Sequence, residues 1–227
     1  MLKIGHRGAA GLAPENTLLS LQKAIDLGVD MVEFDVHLCQ SGEVVIIHDQ
    51  EVDRTTNGTG QVTQMTLSQL QALDAGQGQA IPTLAEALDL INRRVGVMLE
   101  LKGESTAKPV YKILQSYINQ KKYFYEDFII VSFDHHQLTE FSRLSQKFRL
   151  GPSLETKPIG YAEFAAKLPA QYINLAWQYA DKNFVIDAHR RQLKVIVWTV
   201  NNLEDINHLT SLGIDGICSD YPNLFSN

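Results

Sequence analysis

The sequence predicts a (β/α)8 barrel with a small insertion after its second barrel strand, and three observations predict it. Eight short apolar runs, at 2–5, 31–36, 97–101, 128–132, 149–153, 172–175, 195–200 and 216–219, alternate with stretches of helical periodicity, as parallel strands joined by helices do. A further apolar run at 44–47 is surplus to that count, which places it above the barrel as a hairpin return. Polar and aromatic residues also collect just past the strand ends, where a barrel of parallel strands keeps its site: His6 and Arg7, Glu33 and Asp35, Glu100 and Lys102, Phe133 and Asp134, Glu155, Trp177, Trp198 and Asn201, and Asp220. An open doubly wound sheet would need a glycine fingerprint after the first strand. Neither the GTG at 58 nor the GQG at 76 follows a strand and opens a helix.

The elements follow in order. The first run ends in Gly5, so His6 and Arg7 enter a loop, which Pro14 keeps open until Asn16 or Thr17 caps a helix. Leu18, Leu21, Ala24 and Ile25 give that helix its apolar stripe, and Gly28 closes it. From Met31 to Leu38 the alternation puts Glu33, Asp35 and His37 on one face and Val32, Phe34 and Val36 on the other. Ser41-Gly42 predicts a hairpin, and a two-residue turn would pair Gln40 with Glu43, Asp35 with His48 and Glu33 with Gln50. Residues 51–81 read as the insertion, rich in Thr, Gly and Gln, with a short helix capped by Thr66, carried by Leu67, Leu70 and Leu73 and stopped at Gly76. Helices are then expected at 84–92, 108–120, 137–146, 161–166, 182–191 and 203–212, each leading to the next strand.

A chain of 227 residues suits a barrel built as one domain over 1–227, and 44% hydrophobic with 20% charged residues is an ordinary globular composition. The formal charge of −6, with no long basic run, argues against nucleic-acid or anionic-membrane surfaces, so the cations that meet an anionic substrate must be local. Cys39 and Cys218 lack metal-type spacing and read as two reduced thiols. No stretch reaches the ~20 apolar residues of a membrane span. Met1 to Gly5 already reads as a strand and leaves no room for an apolar leader, so a cytoplasmic protein, monomer or homodimer, is expected.

The chemistry collects in three groups. Glu33, Asp35 and Glu100 form an all-carboxylate set suited to a hard divalent cation, Mg²⁺ or Ca²⁺, in preference to zinc. As an inert ion-pair network with Arg7 and Lys102, the same acids would be a costly way to stabilise a barrel. His6 and His48 converge on them by independent strand and hairpin arguments and suit a general acid and base. The other histidines, His37, His135, His136, His189 and His208, fall on hairpin or helix positions and read as surface residues, His37 being the one that shares the face of Asp35. Arg7 and Lys102 suit phosphate oxygens, and Phe133 and Trp198 line the expected mouth, where Trp198 either packs against a substrate's apolar edge or fills the barrel.

Taken together, HRGAAGLAPENT, EFDVHLCQSGEVVIIHD, RTTNGTGQV, LDAG, IPTLAEAL, LELK, VSFD, WTVN and DGICSDYP, in order from His6 to Pro222, resemble the glycerophosphodiester phosphodiesterases. The resemblance implies a TIM-barrel hydrolase that cleaves glycerophosphodiesters to glycerol 3-phosphate and an alcohol with a divalent cation. It implies metal ligands at Glu33, Asp35 and Glu100, catalytic histidines at His6 and His48, phosphate contacts at Arg7 and Lys102, and a small insertion over the mouth at 51–81. Gln79 and Ala80 stand where the family often has a charged residue. Two other readings compete. A lysophospholipid substrate would need an apolar ramp, which the sequence does not offer. A non-catalytic glycerophosphodiester-binding barrel would lack at least one of the histidines or acids, and all are present.

Overall fold

The computed structural model describes residues 1–226. Its strands and helices are β1 (Leu2–Gly5), α1 (Leu18–Asp26), β2 (Met31–Leu38), β3 (Val44–Ile46), α2 (Leu67–Gln71), α3 (Leu84–Ile91), β4 (Gly96–Leu101), α4 (Ala107–Asn119), β5 (Phe128–Ser132), α5 (His135–Leu144), β6 (Arg149–Leu154), β7 (Tyr172–Ala176), α6 (Lys182–Arg190), β8 (Lys194–Trp198), α7 (Leu203–Ser211) and β9 (Gly216–Ser219). The sheet runs β1-β9-β8-β7-β6-β5-β4-β2, and a parallel β1–β2 pairing closes it into a barrel of eight strands. β3 lies outside that circle, antiparallel to β2.

Alternation along each strand divides the core into two layers. Outward residues such as Val32, Phe34, Val36, Leu99, Ile130, Val195 and Val197 are fully buried under the helices. Inward residues Ile4, Met31, Met98, Ile129, Val131, Tyr172, Ile196 and Cys218 plug the barrel. The upper interior is polar, with Glu33, Asp35, Glu100, Ser153 and Asn174 all buried. Cys39 and Cys218 are both unbridged and buried, Cys218 in the plug and Cys39 beneath the insertion.

Residues 51–81 contain a 3-10 turn at Val62–Gln64 and α2, whose Thr66 and Gln69 make a reciprocal capping box. Val52, Val62, Leu70, Ala75 and Ile81 gather with Cys39, Val45 and Ile47 into a satellite core, so this stretch packs on β3. Among the described residues, no helix is long and apolar enough to cross a membrane.

Two expectations are corrected. The hairpin does not have a two-residue turn: Leu38 pairs with Val44 and Val36 with Ile46, and the Cys39 N–H bonds the Glu43 carbonyl. That leaves a three-residue loop with Gly42 at φ +95, the glycine-bulge form, and it shifts the register by one. Asp35 therefore faces Ile47, whose N–H meets the Asp35 carbonyl, and not His48. The helix expected at 161–166 is a 3-10 segment, Glu163–Lys167, too short to build a full amphipathic face, although Ala165 is buried beneath it. Among the other ends, α2 stops at Gln71, well ahead of Gly76, and the rest differ from expectation by one or two residues, as fraying ends do.

Candidate active site

The β2–β4 ladder builds the acidic centre. Asp35 is in register with Glu100 and Glu33 with Met98, all pointing inward, so two carboxylates lie side by side with the third one layer below. Ligand atoms of Glu33, Asp35 and Glu100 fall within 4.8 Å of one another and all three residues are buried. Burial, then Asp35 and Glu100, hold the Glu33 carboxyl well above the usual range. Burial and Asp35 push Glu100 up to about 7 against the pull of Lys102, whose Nζ lies 3.0 Å from Glu100 Oε1. Three hard oxygen donors with too little compensating charge are the chemistry that a divalent cation of the Mg²⁺ or Ca²⁺ type completes.

The loop after β1 wraps over this centre. His6 and Arg7 follow Gly5, and Arg7 turns left-handed at φ 47 before Gly8 at φ 83. A Cβ on Gly8 would lie 2.5 Å from the Ser20 backbone, so only glycine lets the loop press onto α1. Thr17 is the helix cap, accepting from the Ser20 N–H. Asn16 instead turns inward, its Nδ2 donating to Asp35 Oδ2 at 2.9 Å. The Arg7 N–H donates to Glu33 Oε2 at 2.8 Å, its Nη1 donates to Glu15 at 2.7 Å, and its buried Nε, without a hydrogen-bond partner, lies 3.5 Å from Asp35.

Both candidate histidines are held at Nδ1 by a carboxylate. His6 Nδ1 is 2.6 Å from Asp220 Oδ1, and Asp220 Oδ2 accepts from Asn201 Nδ2 at 2.6 Å. The His6 hydrogen bond keeps Asp220 below the usual carboxylate range although burial opposes it. His48 Nδ1 is 2.5 Å from Asp49 Oδ1. Burial holds the His48 imidazole below its ordinary value, outweighing the attraction of Asp35 and Asp49. His48 reaches the site although the ladder register would turn it away, because β3 ends at Ile46 and the chain bends at His48. Its carbonyl accepts from His37 Nε2 at 3.0 Å, so His37, expected at the surface, is buried and anchors this bend.

Arg54 of the insertion joins the two halves. It makes two hydrogen bonds of 2.8 Å to Glu15 and one of 2.6 Å from Nε to Asp49. The Arg54 bond to Asp49, with that of His48, drives Asp49 down to about 2.

One cavity of about 490 Å³ gathers the nine residues that the sequence reading assigned to metal, substrate or catalysis: His6, Arg7, Glu33, Asp35, His48, Glu100, Lys102, Phe133 and Trp198. Phe133 and Trp198 meet edge to face at 5.5 Å, and Lys102 Nζ lies 5.2 Å from the Phe133 ring centre. Trp177, Asn201 and Asp220, expected near the mouth, do not line it, although Asp220 and, through it, Asn201 reach His6 from behind. Among the residues that sequence reasoning did not give a role, Asp49 and Asp220 each follow a recognisable signal, in the HD pair and in the closing SDYP. Arg54 and Glu15 carried none beyond membership of RTTNGTG and APENT, and Asn174 carried none at all.

The family model described as the glycerophosphoryl diester phosphodiesterase family matches residues 6–224. The chain belongs to this family. Bacillus subtilis YhdW is 35% identical over 240 residues, covering 98% of this chain and 96% of that protein. A glycerophosphodiester phosphodiesterase of Caldanaerobacter subterraneus is 32% identical over 237 residues, covering 100% and 96%. An Oleispira antarctica phosphodiesterase, solved in complex with the product sn-glycerol-3-phosphate, superposes with a TM-score of 0.88 at 32% identity, covering 99% of this chain and 96% of that one. Like the barrel described above, these glycerophosphodiester phosphodiesterase neighbours span the chain from end to end.

Proposed function

We propose that this family member is a cytoplasmic hydrolase of soluble glycerophosphodiesters, releasing sn-glycerol 3-phosphate and an alcohol, and that residues 1–227 act as one catalytic domain with 51–81 as an insertion over the mouth. The observation that carries the reading is the convergence, in one cavity, of two carboxylate-held histidines, three buried acids and two cationic side chains.

Glu33, Asp35 and Glu100 would hold Mg²⁺ or Ca²⁺. When bound, the ion supplies positive charge that polarises the phosphodiester and offsets charge developing on it. Arg7 and Lys102 bind the phosphate oxygens, and Phe133 and Trp198 pack on the apolar edge of the substrate. His48, with Nδ1 on Asp49 and its imidazole kept neutral by burial, offers Nε2 as the base toward the attacking oxygen, from water or from the neighbouring glycerol hydroxyl. His6, held through Nδ1 by Asp220 and with Nε2 4.0 Å from Glu33 Oε2, takes the role of the acid that protonates the leaving alcohol.

The test is a panel of glycerophosphocholine, glycerophosphoethanolamine, glycerophosphoglycerol and lysophosphatidylcholine, assayed with Mg²⁺ or Ca²⁺ for released glycerol 3-phosphate or lysophosphatidic acid. Turnover of the first three, abolished by EDTA and lowered by orders of magnitude in His6→Ala and His48→Ala, is expected. Preference for lysophosphatidylcholine would replace the soluble substrate, and near-normal activity in both histidine variants would overturn the acid and base roles.

A further inference from the structure

Opposite the acidic centre, the cavity wall holds two polar groups that no described residue satisfies. Asn174, on β7, is only 3% exposed, lines the cavity, and leaves its Oδ1 without a hydrogen-bond partner. Its other amide atom is used, Nδ2 donating to Ser153 Oγ at 3.0 Å. Trp198, on the neighbouring β8, lines the same cavity with its indole Nε1 buried and equally unpartnered. Asn174 is level with Ile196 in the β7–β8 ladder and Trp198 stands two residues further on, so the two inward side chains occupy successive layers of one wall. Phe133 braces the indole edge to face, which leaves its N–H directed by packing and not by a protein acceptor.

Buried polar atoms are almost always paired, and two orphans lining one cavity mark what that cavity accepts. One is an acceptor and one a donor. A hydroxyl answers both, since it donates one hydrogen bond and accepts another. The orientation of the Asn174 amide carries this assignment: with Nδ2 given to Ser153 Oγ, Oδ1 faces the cavity as an acceptor, whereas the amide turned over would present a second donor, which an anion would answer as well as a hydroxyl. A carboxylate or phosphate could not donate to Oδ1, and an ammonium could not accept from the indole.

We propose that Asn174 and Trp198 form a hydroxyl subsite that recognises the glycerol moiety of the substrate. This deepens the reading of the cavity as a glycerophosphodiester site and rests on it. Within such a substrate the glycerol carries two free hydroxyls, whereas choline or ethanolamine, once esterified, carries none. The variable alcohol therefore gains nothing from these groups, and the constant glycerol does. Trp198 thus acts through its N–H as well as its ring, and Asn174 becomes a specificity residue on the far side of the barrel from the metal ligands. A site with buried hydrogen-bonding groups rejects an analogue that leaves them unpaired far more strongly than an apolar wall rejects an added hydroxyl.

The experiment measures binding of sn-glycerol 3-phosphate and of propyl phosphate, which lacks both hydroxyls, by titration calorimetry with Mg²⁺ present. Wild type, Asn174→Leu and Trp198→Phe are compared; the last keeps an aromatic ring while removing the donor, and the area it also loses weakens both phosphates alike and leaves their ratio to report the donor. Wild type should favour glycerol 3-phosphate by roughly 10- to 100-fold, and each variant should bring that ratio several-fold nearer to one. Should Asn174→Leu fail to fold, Trp198→Phe carries the test alone. Equal wild-type affinity for the two phosphates, or a preference retained in the variants, would overturn the subsite and leave the orphans to water. Hydrolysis of glycerophosphocholine and propylphosphocholine is followed in parallel. Absent turnover with an intact binding preference would sink the hydrolase reading and spare the subsite.

Discussion

Glu100→Gln should make the metal-free protein more stable, although it removes an ion pair. Glu100 is buried beside Asp35 in the ladder, and its carboxyl sits at about 7 against an ordinary 4.5. Ionising it in the folded state therefore costs about 3 kcal/mol more than in the unfolded chain. That cost comes first from desolvation by burial and then from repulsion by Asp35. The sign follows from the raised value: the folded state keeps its advantage below about pH 4.5 and loses it as pH rises toward 7. Glutamine never ionises. Allowing about 1 kcal/mol for the lost bond to the partly exposed Lys102, the variant should exceed wild type by about 2 kcal/mol at pH 8, with the gap closing by pH 5. Urea denaturation in EDTA at the two pH values reads this directly. Adding millimolar Mg²⁺ should reverse the order, because wild type gains the larger binding linkage. A variant less stable than wild type at pH 8 in EDTA, or a gap that ignores pH, would refute the electrostatic account of the acid cluster.

Three further outcomes are expected. Asp49→Asn should lower kcat by roughly 10- to 1000-fold by freeing the His48 tautomer. Because Asp49 stabilises the charged ring, its loss should also move the acidic limb of kcat/KM to lower pH; a shift upward would contradict the base role. Asp220→Asn should cut kcat with little change in KM, and Asn201→Ala should do so more mildly, since it reaches His6 only through Asp220; steady-state kinetics that show KM alone rising would exclude this positioning. Gly8→Ala should destabilise the fold by about 2 kcal/mol or more, measured by thermal unfolding, given its φ of 83 and a Cβ 2.5 Å from Ser20.

The barrel was legible because its strands obey two periodicities at once: Val32, Phe34 and Val36 face the helices while Glu33 and Asp35 face the lumen, and the alternation alone separates them. The cavity was legible for the same reason, since strand ends fix which residues meet. The hairpin register was not, because Ser41-Gly42 is compatible with a two- or a three-residue loop, and only the backbone at Gly42 distinguishes them. His48 was placed in the right cavity by a wrong pairing, its true route being a bend after Ile46. His37 was misplaced because a histidine that bonds a backbone carbonyl looks, in sequence, like any exposed one. Glu15, Arg54 and Asn174 escaped notice because their contacts are long-range, spanning 39 residues for Arg54 to Glu15, and no local spacing encodes them.

The bonds made by Arg54 have a consequence for how this chain can vary. Asp35, Arg7, Glu15, Arg54, Asp49 and His48 stand in an alternating sequence of charge and partner that leaves the barrel, crosses the insertion and returns to the hairpin. Arg7, Glu15 and Arg54 each have a neighbour of opposite sign on either side, so replacing one of them strands two. The unit of tolerated change is then a pair: Arg54→Gln alone should be harmful, whereas Arg54→Gln together with Glu15→Gln should recover part of the loss. Grafting an insertion of different length from a relative would succeed only if it delivered a guanidinium to the same two carboxylates. Residues 51–81 are thus bound to the proposed acid and base by charge continuity, and their exchange would reach the candidate site itself.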